Sequence, residues 1–532
     1  MRGGRGSGED GVFSSILTDS DYIYQTPRIH VPSAPPVVVH HDNIQVQVAL
    51  AMPPYFLRNL IPKRDKTVHS RTLISSLVSL TLLQWIQVFC GWLAWTCDAV
   101  DFFSVSLSVT ALQAQFGGRR ASDITTSITL TLLFRPVGAV LFGVLSDRYG
   151  RRWPLVVNLL LCCVLQIGSG FVQTFRQFLA VRCLFGITMG VEVRGFMSGV
   201  VQQGYAVGYL FAAVINLRLV PAVPQNWRAL FWTAAGISFF AAIVRALTPE
   251  SELFLRAKRI ESEKGTSTKH KTRIFLHELK VMLKRHWLLC IYAVLLMTGF
   301  NFLSHGSQDL YPTYLTASKN FSSNQATIAT IIGNCGAIAG GAIAGWASQY
   351  VGRRLTILIC VILIAVFIPL WILPSSFSAL SAGAFCIQFG VQGAWGVIPI
   401  FLSEISPPAF RGTFPGVAYQ LGNMVSSASA QIEATGGNHL RTTIVENGVP
   451  TNVPDYAKVQ GILIGVVCAF VVVVTIVGPE HHGAHFERAK TAFEEGGGAD
   501  ENIDNDIVRN GDVSTSSAHP SLREENEKQS DV

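Results

Sequence analysis

Residues 301–313 read Asn301-Phe302-Leu303-Ser304-His305-Gly306-Ser307-Gln308-Asp309-Leu310-Tyr311-Pro312-Thr313. Within this run Asn301, Ser304, His305, Gln308 and Asp309 recur at i, i+3, i+4, i+7 and i+8, so a helix gathers them into one polar stripe on an otherwise apolar surface. Such a stripe needs water or a polar cavity beside it. Its chemistry is hydrogen bonding to a small solute and proton exchange. His305 and Asp309 stand four apart, near enough to share a proton, and imidazole titrates close to neutral pH. A lone histidine is more often structural, but the density of polar side chains around this one favours cavity lining.

Three more ionisable groups lie in apolar runs, where an isolated charge is costly and each charge is a functional candidate. Arg135 precedes Asp147 by twelve residues, or ~18 Å of helix, which places it near the middle of its run. A guanidinium there stays charged and can clamp a carboxylate through two hydrogen bonds. The alternative is a permanent salt bridge to Asp98 or Asp101. Those two carboxylates are three apart, so both could look into one cavity and either could accept a proton if buried. Gln388, Gln392, Gln420 and Asn423 are neutral groups able to bond a substrate carbonyl or hydroxyl, or to join helices to one another.

These residues sit in a chain of 532 residues with only 14% charged residues and a mean hydropathy of +0.37, a membrane composition. The net charge of +7 and pI near 8.9 do not indicate nucleic acid, because the basic residues fall in short clusters between apolar runs. The ten cysteines lie mostly in those runs, without C-x-x-C spacing, and read as packing residues. No phosphate-binding loop, metal-ligand cluster or nucleophile elbow is present, so neither an enzyme nor ATP-driven transport is expected, and no cofactor or metal.

Spanning a bilayer takes ~20 mostly apolar residues, and the chain offers twelve candidate runs, centred near 99, 135, 163, 184, 206, 238, 298, 337, 364, 391, 423 and 469. An all-α membrane protein of two six-helix halves follows. Basic residues fall in alternate connections, at Lys63 to Arg71, Arg148 to Arg152, Arg256 to Arg285, and Arg353 with Arg354. Both termini are therefore expected in the cytoplasm, with Arg119 and Arg120 as exceptions to the bias. The expected organisation is a cytoplasmic, largely disordered region 1–83 without a cleavable signal peptide, a first half 84–248, an amphipathic linker 249–285, a second half 286–480 and a polar disordered tail 481–532. Asn320-Phe321-Ser322 forms a weak glycosylation signal in an outer loop.

The halves repeat. Gly143-Val144-Leu145-Ser146-Asp147-Arg148-Tyr149-Gly150-Arg151-Arg152 after span 2 is echoed, 202 residues later, by Gly345-Trp346-Ala347-Ser348-Gln349-Tyr350-Val351-Gly352-Arg353-Arg354 after span 8. Its glycines suit close helix approach, and Asp147 with Arg148, Arg151, Arg152, Arg353 and Arg354 suits a charge latch; topology-setting charge alone is the alternative. The repeat also exposes a shortfall. From Gly143 to Arg194-Gly195 is 51 residues, whereas from Gly345 to Arg411-Gly412 is 66, a deficit of 15. It falls between Gly190 and Glu192, so the end of span 4 and its loop are expected to be missing.

The decapeptide and its second copy, Arg182-x-x-x-Gly186-x-x-x-Gly190 in span 4, Thr248-Pro249-Glu250-Ser251 after span 6 and Gly478-Pro479-Glu480 after span 12 resemble the motifs of the major facilitator superfamily. Span 7 is similar to the N-x-x-S/T-H-x-S/T-Q-D-x-x-x-T signature of the fungal Jen-type carboxylate/proton symporters, matching every fixed position. Span 1 and Gln202-Gln203-Gly204-Tyr205-Ala206 also resemble that family. The resemblance implies import of lactate, pyruvate, acetate or related acids with a proton across the plasma membrane. Carried over by motif, Asn301, His305 and Asp309 become transport residues and Arg135 an anion site. Ser304, Gln308, Gln420 and Asn423 complete the candidate substrate set, with Asp98 and Asp101 as further proton acceptors. A carboxylate, a proton and the bilayer are the expected partners of a monomer. A dicarboxylate importer and a transport-inactive nutrient sensor remain as alternatives.

Overall fold

A computed structural model of the chain describes residues 81–190, 198–250, 255, 268–446, 449–479, 492 and 496–500. The expectations for 1–80 and 501–532, and for much of the linker, lie outside these residues. Ten of the described helices are long and apolar enough to cross a membrane. They are span 1 (Leu82–Gln115), span 2 (Ala121–Tyr149), span 3 (Arg152–Phe171), span 5 (Ser198–Arg218), span 6 (Trp227–Leu247), span 7 (Trp287–Gln308 and Tyr311–Ala317), span 8 (Ser323–Val351), span 9 (Arg353–Ile372), span 10 (Phe377–Ile405) and span 12 (Tyr456–Val477). Span 4 (Phe175–Thr188) is too short for that test, and span 11 divides into Phe414–Ser426 and Ser429–His439. A linker helix, Thr268–Arg285, precedes span 7.

Several starts carry their own stop signals for the chain before them. Thr81, Thr174 and Ser322 each form a capping box with a glutamine three residues on, satisfying the first free amides of spans 1, 4 and 8. Large apolar side chains such as Leu141, Val164, Phe240, Ile362 and Val473 stay exposed, as a lipid-facing surface requires. Polar and ionisable groups face inward instead.

One departure from an all-helical chain is a two-stranded antiparallel hairpin, β1 (Arg441–Glu446) with β2 (Val449–Pro454), between spans 11 and 12. Its strands are rich in β-branched residues and flank Asn447-Gly448, a dipeptide favoured in hairpin turns. Ser318 donates to the Pro454 carbonyl at 2.7 Å and Lys319 to that of Pro374 at 2.8 Å. The loops after spans 7 and 9 therefore share one end of the bundle with the hairpin.

At the opposite end the repeat has a structural counterpart. Gly150 and Gly352, 202 residues apart, turn the chain between spans 2 and 3 and spans 8 and 9 with φ of 89° and 103°, backbone that an L side chain rarely adopts. The residues after them act alike. Arg152 donates to the Ala246 carbonyl at the end of span 6, and Arg354 to the Thr475 and Ile476 carbonyls at the end of span 12. Glu250, from the motif after span 6, accepts from the Arg152 amide at 2.8 Å and lies 3.9 Å from Arg245.

The halves then diverge. Arg353 pairs with Glu404 of span 10 at 3.1 Å and donates to Ser348 at 2.7 Å, whereas its counterpart Arg151 is exposed and takes part in no ion pair among the described residues. A Cβ at Gly345 would touch the Gly396 carbonyl of span 10 at 3.3 Å, but one at Gly143 would meet nothing within 4 Å. Close packing at Gly143, expected from the motif, is therefore not found. The reason lies in span 4, which has 14 residues against 29 in the corresponding span 10. Gly396 stands 19 residues beyond the start of span 10, and the same distance from Phe175 passes the last residue of span 4. The side chains of Asp147 and Arg148 lie outside the described residues.

Fourteen residues make ~21 Å of helix, short of the ~30 Å hydrocarbon core. What remains of span 4 is held tightly on span 2. A Cβ at Gly186 would collide with the Thr131 carbonyl, one at Gly190 with the Arg135 carbonyl, and one at Gly138 with the Ile187 carbonyl. This is small-residue packing of the kind membrane helices use to bring backbones together.

Candidate functional site

Span 7 stops at Gln308 and resumes at Tyr311, so Asp309 sits where the helix is interrupted. Discontinuous helices of this kind place polar groups at the centre of transporters. The stripe expected from the sequence forms. Asn301, Ser304, His305, Gln308 and Asp309 are all buried on the inner side of the span. His305 Nδ1 lies 3.1 Å from Asp309 Oδ2 and its Nε2 lies 3.4 Å from Asn423 Oδ1 on span 11.

Around this pair the amides form a network. Gln308 Nε2 donates to Gln388 Oε1 of span 10 at 2.7 Å, and Gln388 Nε2 to Ser307 Oγ at 3.0 Å. Ser304 donates to Gln308 Oε1 at 3.2 Å, and Asn423 Nδ2 reaches Gln420 Oε1 at 3.5 Å. Gln388 thus joins span 10 to span 7, while both side-chain atoms of Gln392 and the Gln420 amide nitrogen have no partner.

Gln202, Tyr205, Asn301, Ser304, His305, Trp395 and Tyr419 enclose a cavity of about 10 Å³, room for one water at most. Its lining comes from spans 5, 7, 10 and 11, hence from both halves. Toward the hairpin end Thr125 of span 2 donates to Gln431 at 2.9 Å, Thr129 to the Ser427 carbonyl at 2.8 Å, and Asn216 of span 5 to Thr327 of span 8 at 3.2 Å. Toward the other end Gln203 of span 5 packs where a Cβ of Gly341 in span 8 would stand. The halves therefore meet on both sides of the cavity, and a solute larger than water can enter only if they part.

Arg135 is 1% exposed and its guanidinium lies 5.6 Å from the centroid of the Tyr419 ring, behind one wall of the cavity. Its Nε and Nη2 have no hydrogen-bond partner, and it forms no ion pair among the described residues. A buried guanidinium with unused donors is costly unless an anion completes it. The salt bridge to Asp98 or Asp101 is thus not formed.

The two carboxylates of span 1 part company. Asp101 Oδ2 accepts from Ser238 of span 6 at 3.1 Å, and its carbonyl accepts from Gln166 of span 3 at 3.1 Å; Gln166 in turn accepts from Arg182 of span 4 at 3.2 Å. Asp101 therefore belongs to a network inside the first half, not to the cavity. Residues three apart on a helix point ~60° apart, so Asp98 does not follow Asp101 into that network.

The aromatic residues were not singled out from the sequence. Phe102 meets the His305 ring at 5.5 Å and Phe103 stacks on Tyr209 at 3.6 Å, while Trp395, Tyr205 and Tyr419 line the cavity itself. Aromatics are so frequent in membrane helices that only packing separates these from the rest. Glu433 of span 11 is also fully buried, but its helix, Ser429–His439, mixes polar and apolar residues, so hydropathy does not single it out in the sequence.

The family model described as Major Facilitator Superfamily matches residues 85–430, from span 1 into span 11. The chain belongs to the major facilitator superfamily. Within it, the chain is 34% identical over 433 residues to the carboxylic acid transporter protein homolog of Saccharomyces cerevisiae, a match spanning 76% of this chain and 70% of that one. It is 26% identical over 368 residues to the cis,cis-muconate transport protein of Acinetobacter baylyi, across 65% of this chain and 87% of the relative. Among solved structures, the proton:xylose symporter XylE with bound 6-bromo-6-deoxy-D-glucose superposes with a TM-score of 0.58 at 17% identity, over 76% of this chain and 97% of that one. The E. coli xylose transporter in a partially occluded inward-open form gives 0.57 at 16% identity, over 75% and 99%. This likeness is one of fold. A major facilitator chain is a membrane transporter and not an enzyme.

Proposed function

We propose that this facilitator imports short monocarboxylates such as lactate, pyruvate and acetate together with a proton, by alternating access across the plasma membrane with both termini in the cytoplasm. The observation that carries the reading is Arg135, a buried guanidinium with two unpartnered nitrogens against the ring of Tyr419, which lines the same cavity as His305, the partner of Asp309. The anion satisfies Arg135 through two charge-assisted hydrogen bonds. Asn301, Ser304, Gln308, Gln420 and Asn423 are available to its carbonyl or hydroxyl oxygen. The similarity to a yeast carboxylic acid transporter homolog and to a muconate transporter supports the substrate class.

His305 is placed to register the proton. With Asp309 ionised, Nδ1–H donates to the carboxylate, and protonation at Nε2 turns that nitrogen into a donor to Asn423 Oδ1. In the neutral state the Asn423 amide can turn and donate to Nε2 instead, so one residue serves both forms. Binding a proton beside the anion lowers the charge that must be carried when the halves rock. Asp147 with Arg148 and the arginines of the two turns act at the opposite end as latches between conformations.

Uptake of radiolabelled lactate by transporter-deficient yeast expressing the chain, with extracellular pH recorded, tests the reading. Uptake that rises as the medium is acidified, with alkalinisation on adding lactate, is expected. Uptake indifferent to pH would contradict proton coupling. Strong competition by malate or succinate would move the substrate to dicarboxylates, and surface expression without uptake would favour a sensor.

A further inference from the structure

The second half of span 11 holds a buried acid that the carboxylate site does not use. Glu433 is 0% exposed; its Oε2 accepts from Gln460 Nε2 of span 12 at 2.9 Å and its Oε1 from Ser429 at 3.5 Å. No basic side chain pairs with it among the described residues. The other groups around it are accounted for. Span 7 contributes Asp309 and, beyond it, His305; span 12 contributes Gln460, with Tyr456 nearer the hairpin and Lys458 exposed; on its own helix His439 is exposed. The polar groups of span 2 facing this helix are the hydroxyls of Ser122, Thr125 and Thr129, bonded to Asn438, Gln431 and the Ser427 carbonyl.

We propose that Glu433 is a proton-carrying residue, taking a proton from the hairpin side of the bundle and passing it to the Asp309–His305 pair. This rests on the reading of the chain as a proton-coupled importer.

Position is the first argument. Gln460 lies four residues inside the start of span 12, or ~6 Å of helix, so Glu433 stands between the hairpin end and the site. Ser429, one turn before Glu433, has its hydroxyl 3.3 Å from where a Cβ of Gly306 would be. Gly306 directly follows His305, and the missing side chain leaves span 11 in contact with span 7 at the level of the pair. The second argument is the partner. An arginine or lysine would hold Glu433 permanently ionised, whereas an amide serves either state. Gln460 Nε2–H donates to the carboxylate, and Gln460 Oε1, which has no partner, can accept from the carboxyl O–H once the amide turns. The proton thus binds a Glu433 oxygen, is held by Gln460, and leaves to the Asp309 carboxylate, restoring the Glu433 anion; no covalent bond to another atom changes.

The test uses the full chain purified into proteoliposomes, with lactate binding measured separately from accumulation driven by a pH gradient. Glu433→Gln is expected to bind lactate within about threefold of the parent while gradient-driven accumulation falls at least about tenfold, because the amide cannot take up and release the proton. Glu433→Asp is expected to keep accumulation with a displaced pH midpoint, and Gln460→Leu to displace that midpoint while the carboxylate remains. Accumulation by Glu433→Gln equal to the parent overturns the proposal. Should that variant fail to fold, unchanged pH midpoints in both Glu433→Asp and Gln460→Leu overturn it equally. A parent chain that accumulates lactate without regard to the gradient sinks the symporter reading instead, before any variant is made.

Discussion

His305 Nδ1 lies 3.1 Å from Asp309 Oδ2, one helical turn further on and at the interruption of span 7. An imidazole and a carboxylate at this distance share one hydrogen bond. Replacing either member removes it. Asp309→Asn and His305→Ala are each expected to lower lactate uptake at acidic pH at least about tenfold and to flatten its pH dependence, with the double variant no worse than the worse single one. Additive losses, measured in cells matched for surface expression, would show two independent roles.

Arg135 offers a sharper separation of charge from geometry. Arg135→Lys keeps the charge and loses the two-pronged fork, so it is expected to raise the apparent KM for lactate about tenfold or more, since charge-assisted hydrogen bonds contribute about 1.5–3 kcal/mol. Arg135→Ala is expected to abolish saturable uptake. A lysine variant with the parental KM would show that the anion does not contact this residue.

The unequal turns at the end opposite the hairpin predict unequal sensitivity. Arg353 and Glu404 form a largely buried pair, and removing one partner of such a pair costs about 3–5 kcal/mol. Arg353→Ala is therefore expected to lower the melting temperature in detergent markedly, while Arg151→Ala leaves it within about 1 °C, as for an exposed residue without such contacts. Equal shifts would indicate that Arg151 has a partner of comparable strength.

At Gly186 a Cβ would enter the Thr131 carbonyl of span 2, a backbone atom that cannot step aside. Gly186→Val is expected to destabilise by about 1–3 kcal/mol, the usual cost of overpacking, and to reduce monodisperse protein in size-exclusion chromatography. Val at Gly143, where a Cβ would meet nothing within 4 Å, is the matched control and is expected to leave the profile unchanged.

Span 4 has 14 residues where span 10 has 29, a difference of 15 that equals the deficit counted from the repeat. Sequencing of transcripts across Met189 to Gly195 is expected to return about 15 additional codons, enough to bring span 4 to bilayer-crossing length. An uninterrupted read matching the present chain would establish the short span as the native form.

By itself the sequence determined the membrane class, the order of the apolar helical runs, the repeat with its short fourth span, and the polar stripe of span 7. These features are periodic or compositional: hydrocarbon demands ~20 apolar residues, and side chains three and four apart share a helix face wherever the helix is placed. Pattern alone therefore carries them. The tertiary structure decided which polar groups share a cavity. Asp98 and Asp101 are neighbours in sequence, yet Asp101 turns to Ser238 and the Gln166–Arg182 network, because ~60° of helix rotation faces a different span. Arg135 has no ion-pair partner among the described residues, and Glu433 meets Gln460, for the same reason. Partners from distant spans are set by how helices pack, and packing depends on glycine contacts such as Gly186 on Thr131 that fix which faces meet.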